Sequence, residues 1–203
     1  VSSHLYAQLN IQFRSNIFYG QLCSNIGGYV DHQGNEYALL GWWNGLDIID
    51  VTNPDTPVVK FTVPGNQSQW REVKTYRDYA YVTTEECCDG LQIVDLSNLP
   101  ASINTITYTG DGVIANQIQT IHALHIDTAM AFLYLYGSNL QLNGASNHGH
   151  PLFFDISNQI FSTFILSQGF SFMSSLSTNS NSLLMNIPTP PTIPEGDNSY
   201  KNS

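Results

Sequence analysis

The chain has 203 residues, which suggests one domain, and its 6 Lys and Arg residues against 16 Asp and Glu residues give a formal charge of -10. Nucleic acids and anionic membranes are bound through basic patches, so this balance argues against either partner. With 42% hydrophobic and only 11% charged residues, the chain can bury a core. The longest apolar run, residues 129–136, is far shorter than the ~20 residues of a membrane-spanning helix, so we predict no transmembrane segment.

The first segment in chain order, residues 1–13, alternates between apolar and polar residues from Leu5 to Phe13 and therefore predicts a strand. In a closed ring of repeats, this strand would complete the last unit. No secretory signal is visible, and the chain begins at Val1 rather than at Met, as expected if an N-terminal piece was removed or never cloned.

Residues 14–166 contain three similar units, each with an apolar run, a loop, and a second run that ends in Asp, then any residue, then Thr or Ser, then Asn. Each unit resolves into four short strands, a to d, rich in Val, Ile, Tyr and Phe. The predicted strands are 26–30, 37–40, 46–51 and 58–63 in unit one, 70–76, 79–84, 91–96 and 103–108 in unit two, and 121–126, 131–136, 152–156 and 161–166 in unit three. No apolar stripe with helical spacing and length interrupts them.

Four short antiparallel strands in a repeat of about 40–50 residues are typical of a β-propeller blade. We therefore predict an all-β fold, a partial β-propeller of about three four-stranded antiparallel blades at about 24–63, 68–108 and 119–166. Residues 50, 95 and 155 are the Asp residues that end strand c. Their carboxylates are expected to fix turns by accepting backbone hydrogen bonds, rather than to act in catalysis.

The repeat fades after Asn158, and residues 167–203 are rich in Ser, Asn and Pro. This composition predicts a disordered tail. Closed propeller rings generally need at least four blades, so a truncated chain is the favoured explanation, with a fragment of a longer chain or a natural linker as alternatives. A three-blade arc has two open ends and could therefore self-associate.

The sequence resembles the LVIVD-repeat proteins at Gly-Leu-Asp-Ile-Ile-Asp (45–50) and Gly-Leu-Gln-Ile-Val-Asp (90–95). With segments 36–41, 70–76, 78–82 and 121–127, it is similar more narrowly to the choice-of-anchor B family of bacterial secreted or surface proteins. The resemblance spans about residues 5–158. It implies a β-propeller on an exported protein, hence a secreted or cell-surface location, and it implies no particular reaction.

Blade topology predicts that the b–c loops and the residues leading into strand a emerge on one face, together with the loop 138–150. Exposed aromatic rings beside polar groups suit sugars or extended peptides. The ligand-binding candidates on this face are Trp42, Trp43, Asn44, Trp70, Arg71, Glu72, Glu85, Glu86, Asp89 and His122. For Trp43 and Trp70, packing between blades is the favoured alternative. For Arg71 and Glu72, the favoured alternative is an Arg–Glu pair that braces neighbouring blades.

We expect no cofactor, because GxSxG, CxxC, HExxH and phosphate-binding patterns are all absent. His148 and His150 are weak metal candidates, whereas His122 and His125 would point to opposite faces of a strand. The chain has three cysteines, of which residues 87 and 88 are adjacent. We favour small buried thiols for them, with a disulfide as the alternative. The predicted function is a secreted or surface scaffold for a glycan or peptide. A polysaccharide hydrolase or lyase with acid/base residues at the channel mouth, and a truncated fragment without independent function, are the alternatives.

Overall fold

The computed structural model describes residues 11–142, 145–146 and 151–158, all within the compact unit Val1–Met173. Its strands are β1 Cys23–Val30, β2 Glu36–Trp42, β3 Gly45–Asp50, β4 Val58–Pro64, β5 Val73–Tyr76, β6 Tyr79–Val82, β7 Leu91–Asp95, β8 Asn104–Tyr108, β9 Ala123–Asp127, β10 Phe132–Tyr136, β11 Gln141–Leu142, β12 Ala145–Ser146 and β13 Leu152–Asp155. Among the described residues, one 3-10 turn at Gly112–Ile114 is the only helical element.

Three antiparallel sheets follow one another along the chain. Sheet 1 has the order β1-β2-β3-β4, sheet 2 has the order β5-β6-β7-β8, and sheet 3 has the order β13-β10-β9. β11 and β12 form a small separate ribbon between β10 and β13. The all-β fold class is confirmed, and sheets of this kind in succession are consistent with a partial β-propeller of about three blades.

Sheet 2 is covered on both faces, and this explains its long apolar runs. Val73, Ala80 and Val94 contribute to a core shared with sheet 1. Tyr81 and Ile93, which point the other way, contribute to a second core shared with sheet 3. Because side chains alternate along a strand, a strand buried on both faces needs apolar residues at successive positions. All five residues of β7 are accordingly buried.

The predicted strands agree with the structure to within about three residues. The largest differences concern the first strands of the units. β1 begins at Cys23, three residues before the predicted start, and its pairing with β2 is irregular between Cys23 and Ile26. β5 begins at Val73, three residues after the prediction. The predicted strand 161–166 and tail 167–203 lie outside the described residues, as does the predicted N-terminal strand except for residues 11–13, which form no strand.

The predicted turn role of the Asp residues after strand c is confirmed. The carboxylate Oδ1 of Asp50, Asp95 and Asp155 accepts a hydrogen bond from the backbone N–H two residues later, at 3.0, 2.9 and 2.8 Å. The bond from the Ser157 backbone lowers the pKa of Asp155. These side chains therefore end the third strand of each unit in the same way.

A further carboxylate, Asp31, organises the β1–β2 turn. Its Oδ1 accepts hydrogen bonds from the backbone N–H groups of Gln33 and Asn35, and its Oδ2 accepts from the Asn35 amide and the Tyr37 hydroxyl. Burial alone would raise the pKa of Asp31, but the four donors together lower it. Burial and the bond to Asp31 raise the pKa of Tyr37 to about 12.

In the described part of the chain, no helix has the length and apolar character needed to cross a membrane.

Candidate functional site

The b–c loops and the residues leading into the first strands meet at one end of the sheets, as predicted. Backbone hydrogen bonds join them: Thr83 N–H donates to Glu72 O at 3.0 Å, and Ile121 N–H donates to Thr84 O at 2.8 Å. Gly65 N–H similarly donates to Asn44 O at 2.9 Å. Residues 42–44, 70–72, 85–89 and 120–122 are called the loop face below.

Arg71 occupies the buried centre of this region. Its Nε donates to Trp42 O at 3.2 Å, and its Nη2 donates to Asn66 O. Its Nη1 lies 3.6 Å from Asp89 Oδ2, an ion-pair contact in which the Arg71 side chain is fully buried. Burial lowers the pKa of the Arg71 guanidinium, and the Asp89 carboxylate opposes that shift. Arg71 is thus a structural cation that ties the start of sheet 2 to sheet 1.

Asp89 is equally engaged in structure. Its Oδ2 accepts a hydrogen bond from the Asn66 backbone N–H at 2.7 Å, and its Oδ1 accepts from the Asn66 amide at 2.9 Å. The sequence analysis missed Asn66, although its position directly after Pro64 and Gly65 is a turn signal that could have drawn attention to it. Asp89 therefore anchors the end of the β6–β7 loop to the β4–β5 connection.

Glu72 faces sheet 3. Its Oε2 accepts a hydrogen bond from the Leu124 N–H at 3.0 Å, so this carboxylate links the start of β5 to β9. Arg71 and Glu72 thus brace sheet 2 against its two neighbours, one on each side. The bracing interpretation is confirmed, although each residue has its own partner and the two do not form a pair with each other.

The β6–β7 loop also reaches sheet 3 through Glu85. Its Oε1 contacts Nδ1 of His122, which directly precedes β9. Both side chains are more exposed than those of Arg71 and Asp89. A carboxylate and an imidazole in contact at a solvent-facing position have the elements of a general acid/base pair, and they also suit recognition of a polar ligand.

The three tryptophans differ in exposure. Trp70 is 54% exposed, so the favoured prediction that it packs between the sheets is wrong. Trp42 and Trp43 are partly buried, and Trp42 lies against the Tyr19 ring with the ring centres 5.4 Å apart. Trp70 escapes burial because the neighbouring Arg71 side chain fills the inward position. Glu86 is exposed on the same loop face, and Asn44 is partly buried there.

The favoured prediction of small buried thiols is also wrong. Cys87 and Cys88 form a vicinal disulfide at the exposed tip of the β6–β7 loop, and Cys23 is a free, exposed cysteine. With Glu85 and Asp89 anchoring its two ends, the loop is held in place on both sides of the disulfide. The adjacency of the two cysteines in the sequence is the signal that indicates this bond.

The described residues include no group of three or more His, Cys, Asp or Glu side chains placed to hold a metal ion. His148 and His150 lie outside the described residues. His122 precedes β9, whereas His125 lies within it and stacks on Tyr134 with ring centres 6.0 Å apart. The two histidines serve separate contacts and do not converge.

Residues 33–64 and 69–109 match the family model of the LVIVD repeat. The first match covers β2 to β4 and the second covers all of sheet 2. The searches of curated proteins and of solved structures gave no match.

Sheet 3 lies beyond the two matched LVIVD repeats, but it follows their register. The residue paired with the terminal Asp of the third strand is Tyr37 in sheet 1, Tyr79 in sheet 2 and Phe132 in sheet 3. An aromatic ring therefore lies opposite the turn Asp in all three sheets. This shared register relates sheet 3 to the two LVIVD repeats by geometry.

Proposed function

We propose that this LVIVD-repeat chain is a secreted or cell-surface scaffold whose loop face binds an extracellular glycan or peptide. The location rests on the resemblance to the bacterial choice-of-anchor B family. The mode of binding rests on one observation: Trp70, more than half exposed, stands on the same face as exposed Glu86 and the partly exposed Glu85–His122 pair. An aromatic ring stacks on a sugar or peptide group while polar neighbours fix its orientation.

The charges on the loop face indicate which classes of ligand fit it best. The buried Arg71 is already paired with Asp89, so it offers no free cation at the surface. Glu85 and Glu86 give the more exposed part of the loop face two acidic side chains. Neutral sugars and peptides with basic groups fit such a surface better than acidic polysaccharides do.

Arrays of neutral glycans, acidic glycans and basic peptides test this proposal, with Trp70→Ala as the diagnostic variant. We expect wild-type binding to neutral glycans or basic peptides and about tenfold weaker binding by the variant, since stacking contributes about 1 kcal/mol or more. Met130→Ala is the matched control, because Met130 is an exposed apolar residue at the opposite end of sheet 3. Equal binding by wild type and Trp70→Ala would contradict the proposed site.

The second candidate is a polysaccharide hydrolase or lyase, which the contact between Glu85 and His122 favours. Glu72 contributes less to this alternative because its carboxylate is bonded to the sheet 3 backbone. Release of reducing ends or unsaturated products, abolished in both Glu85→Gln and His122→Ala, would establish the enzyme. Binding that persists in Glu72→Gln and Glu85→Gln, without turnover, would support the scaffold.

A further inference from the structure

The face of sheet 3 that points away from sheet 2 is aromatic and uncovered by any described residue. Phe153 is 54% exposed on it, and the Phe153 ring packs edge-on against Tyr134 at 5.6 Å between ring centres. On its other side, Tyr134 stacks on His125, and the two rings are nearly parallel at 7°. Three neighbouring strands thus present a continuous row of rings to solvent.

The repeat shows what such a face normally contacts. The pair Tyr134 and Phe153 corresponds in register to Leu39 and Ile48 in sheet 1, and to Tyr81 and Ile93 in sheet 2. Those four residues are buried, and in each case the covering surface is the opposite face of the next sheet. The equivalent faces of sheets 1 and 2 are therefore each covered by the next sheet, whereas this face of sheet 3 is exposed.

The complementary surface is the face of sheet 1 that points away from sheet 2. Ile26 corresponds in register to Val73 and Leu124, since the three pair with Leu40, Val82 and Leu135. Val73 and Leu124 are buried against the preceding sheet, whereas Ile26 is 63% exposed. On the face of sheet 1 that points away from sheet 2, segment 14–22 covers the β3 side, where the Tyr19 hydroxyl donates to Asp47. The segment leaves the β1 side of that face exposed.

The two ways in which copies could meet differ in the number of carboxylates that they bring together. Asp127 and Asp155 both pair with Phe132, so the three residues lie side by side at one end of the exposed sheet 3 face. Two sheet 3 faces stacked on each other would bring four carboxylates into one interface, and like charges there are unfavourable. A head-to-tail contact brings together three, because the β1 side of sheet 1 presents the exposed apolar residues Ile26 and Val30 and one exposed carboxylate, that of Glu36, which pairs with Val30.

We infer that the exposed face of sheet 3 docks onto the exposed β1 side of sheet 1 in a second copy of this chain. The contact is head-to-tail, so it repeats the packing of sheet 1 on sheet 2 and of sheet 2 on sheet 3. A head-to-tail contact between two copies either closes on itself or continues to further copies. This inference stands apart from the proposed function, because it involves no residue of the loop face.

Sedimentation velocity and light scattering on wild type, Phe153→Asp and Ile26→Asp test the inference. Each variant places a charge in the proposed interface and should weaken association by about 100-fold or more. Both positions are more than half exposed, so both variants should keep the wild-type circular dichroism. Met130→Asp is the control for an added charge on an exposed apolar residue, and it should associate like wild type.

The decisive sample is an equimolar mixture of Phe153→Asp and Ile26→Asp. Each variant retains the surface that the other has lost, so a head-to-tail contact predicts that the mixture associates while each variant alone stays monomeric. A monomeric wild type, or a mixture that stays monomeric, would overturn the inference. Association lost in Phe153→Asp but retained in Ile26→Asp would overturn it in favour of stacked sheet 3 faces. If either Asp variant has altered circular dichroism, Phe153→Ser and Ile26→Ser replace the pair with the same expectations.

Discussion

Arg71 is the residue whose replacement tests the architecture of the loop face most directly. Arg71→Ala removes a fully buried guanidinium, so the Asp89 carboxylate loses its ion-pair partner and the carbonyls of Trp42 and Asn66 lose the donor that Arg71 provides. Hydrogen bonds involving a charged group contribute about 1.5–3 kcal/mol each, and breaking a buried ion pair costs about 3–5 kcal/mol. Because these contacts share one side chain and are not additive, we expect a loss of about 3–5 kcal/mol in the free energy of unfolding.

Urea unfolding followed by tryptophan fluorescence is a suitable assay, because all three tryptophans belong to the loop face. Arg14→Ala is the matched control: Arg14 also pairs with an aspartate, Asp55, at 2.5 Å, but on the surface. Exposed ion pairs contribute little, so this variant should unfold at nearly the wild-type urea concentration.

A double-mutant cycle with Asp89→Asn separates the ion pair from general loss of packing. If the contact carries the effect, the double variant should be less destabilised than the sum of the two single variants by about 1 kcal/mol or more. A loss below about 1 kcal/mol for Arg71→Ala, as for an ordinary surface substitution, would refute the assignment of Arg71 as a buried brace.

Three further predictions concern other parts of the chain. Iodoacetamide should modify one cysteine per chain, Cys23, in the native protein and all 3 cysteines after reduction of the vicinal disulfide, as counted by mass spectrometry. The lowered pKa of Asp31 means that its contribution to stability is present above its ordinary pKa of 3.8 and is lost as the pH falls through the folded value, so acid unfolding should be less steep in Asp31→Asn than in wild type. Gly45→Ala should lower the free energy of unfolding by about 2 kcal/mol or more, because Gly45 has a φ of 146° and the new Cβ would lie 2.1 Å from Val63 O. Gly20→Ala, where nothing lies within 4 Å of the new atom, should unfold like wild type, and equal stability of the two variants would refute the steric argument.

The sheets were predictable because their signals are local and repeated. Alternation and β-branched residues predict each strand, and the recurring Asp after the third strand fixes the register between units. The aromatic residue opposite that Asp, such as Tyr37 opposite Asp50, follows from this register. The convergence of the loops was also predictable, because antiparallel topology places alternate connections at the same end of a sheet.

The partners within the loop face could not be predicted in the same way. The neighbours Arg71 and Glu72 were expected to act as a pair, but they point into different interfaces, and the path of the β4–β5 connection decides that Arg71 meets Asn66 and Asp89. Once Arg71 fills the inward position, Trp70 is left outside. These outcomes depend on long-range packing, for which neither residue type nor spacing contains a signal.

The two separate cores of sheet 2 have a consequence for how this molecule loses structure. Each core joins two adjacent sheets, so the stability of the three described sheets is approximately a sum of terms between nearest neighbours, as in a linear array. Loss of sheet 1 or sheet 3 removes one such term and leaves the other intact. Among the three described sheets, opening of sheet 1 or of sheet 3 is therefore the least costly partial unfolding, and the backbone amides of sheet 2 are the last to open to solvent.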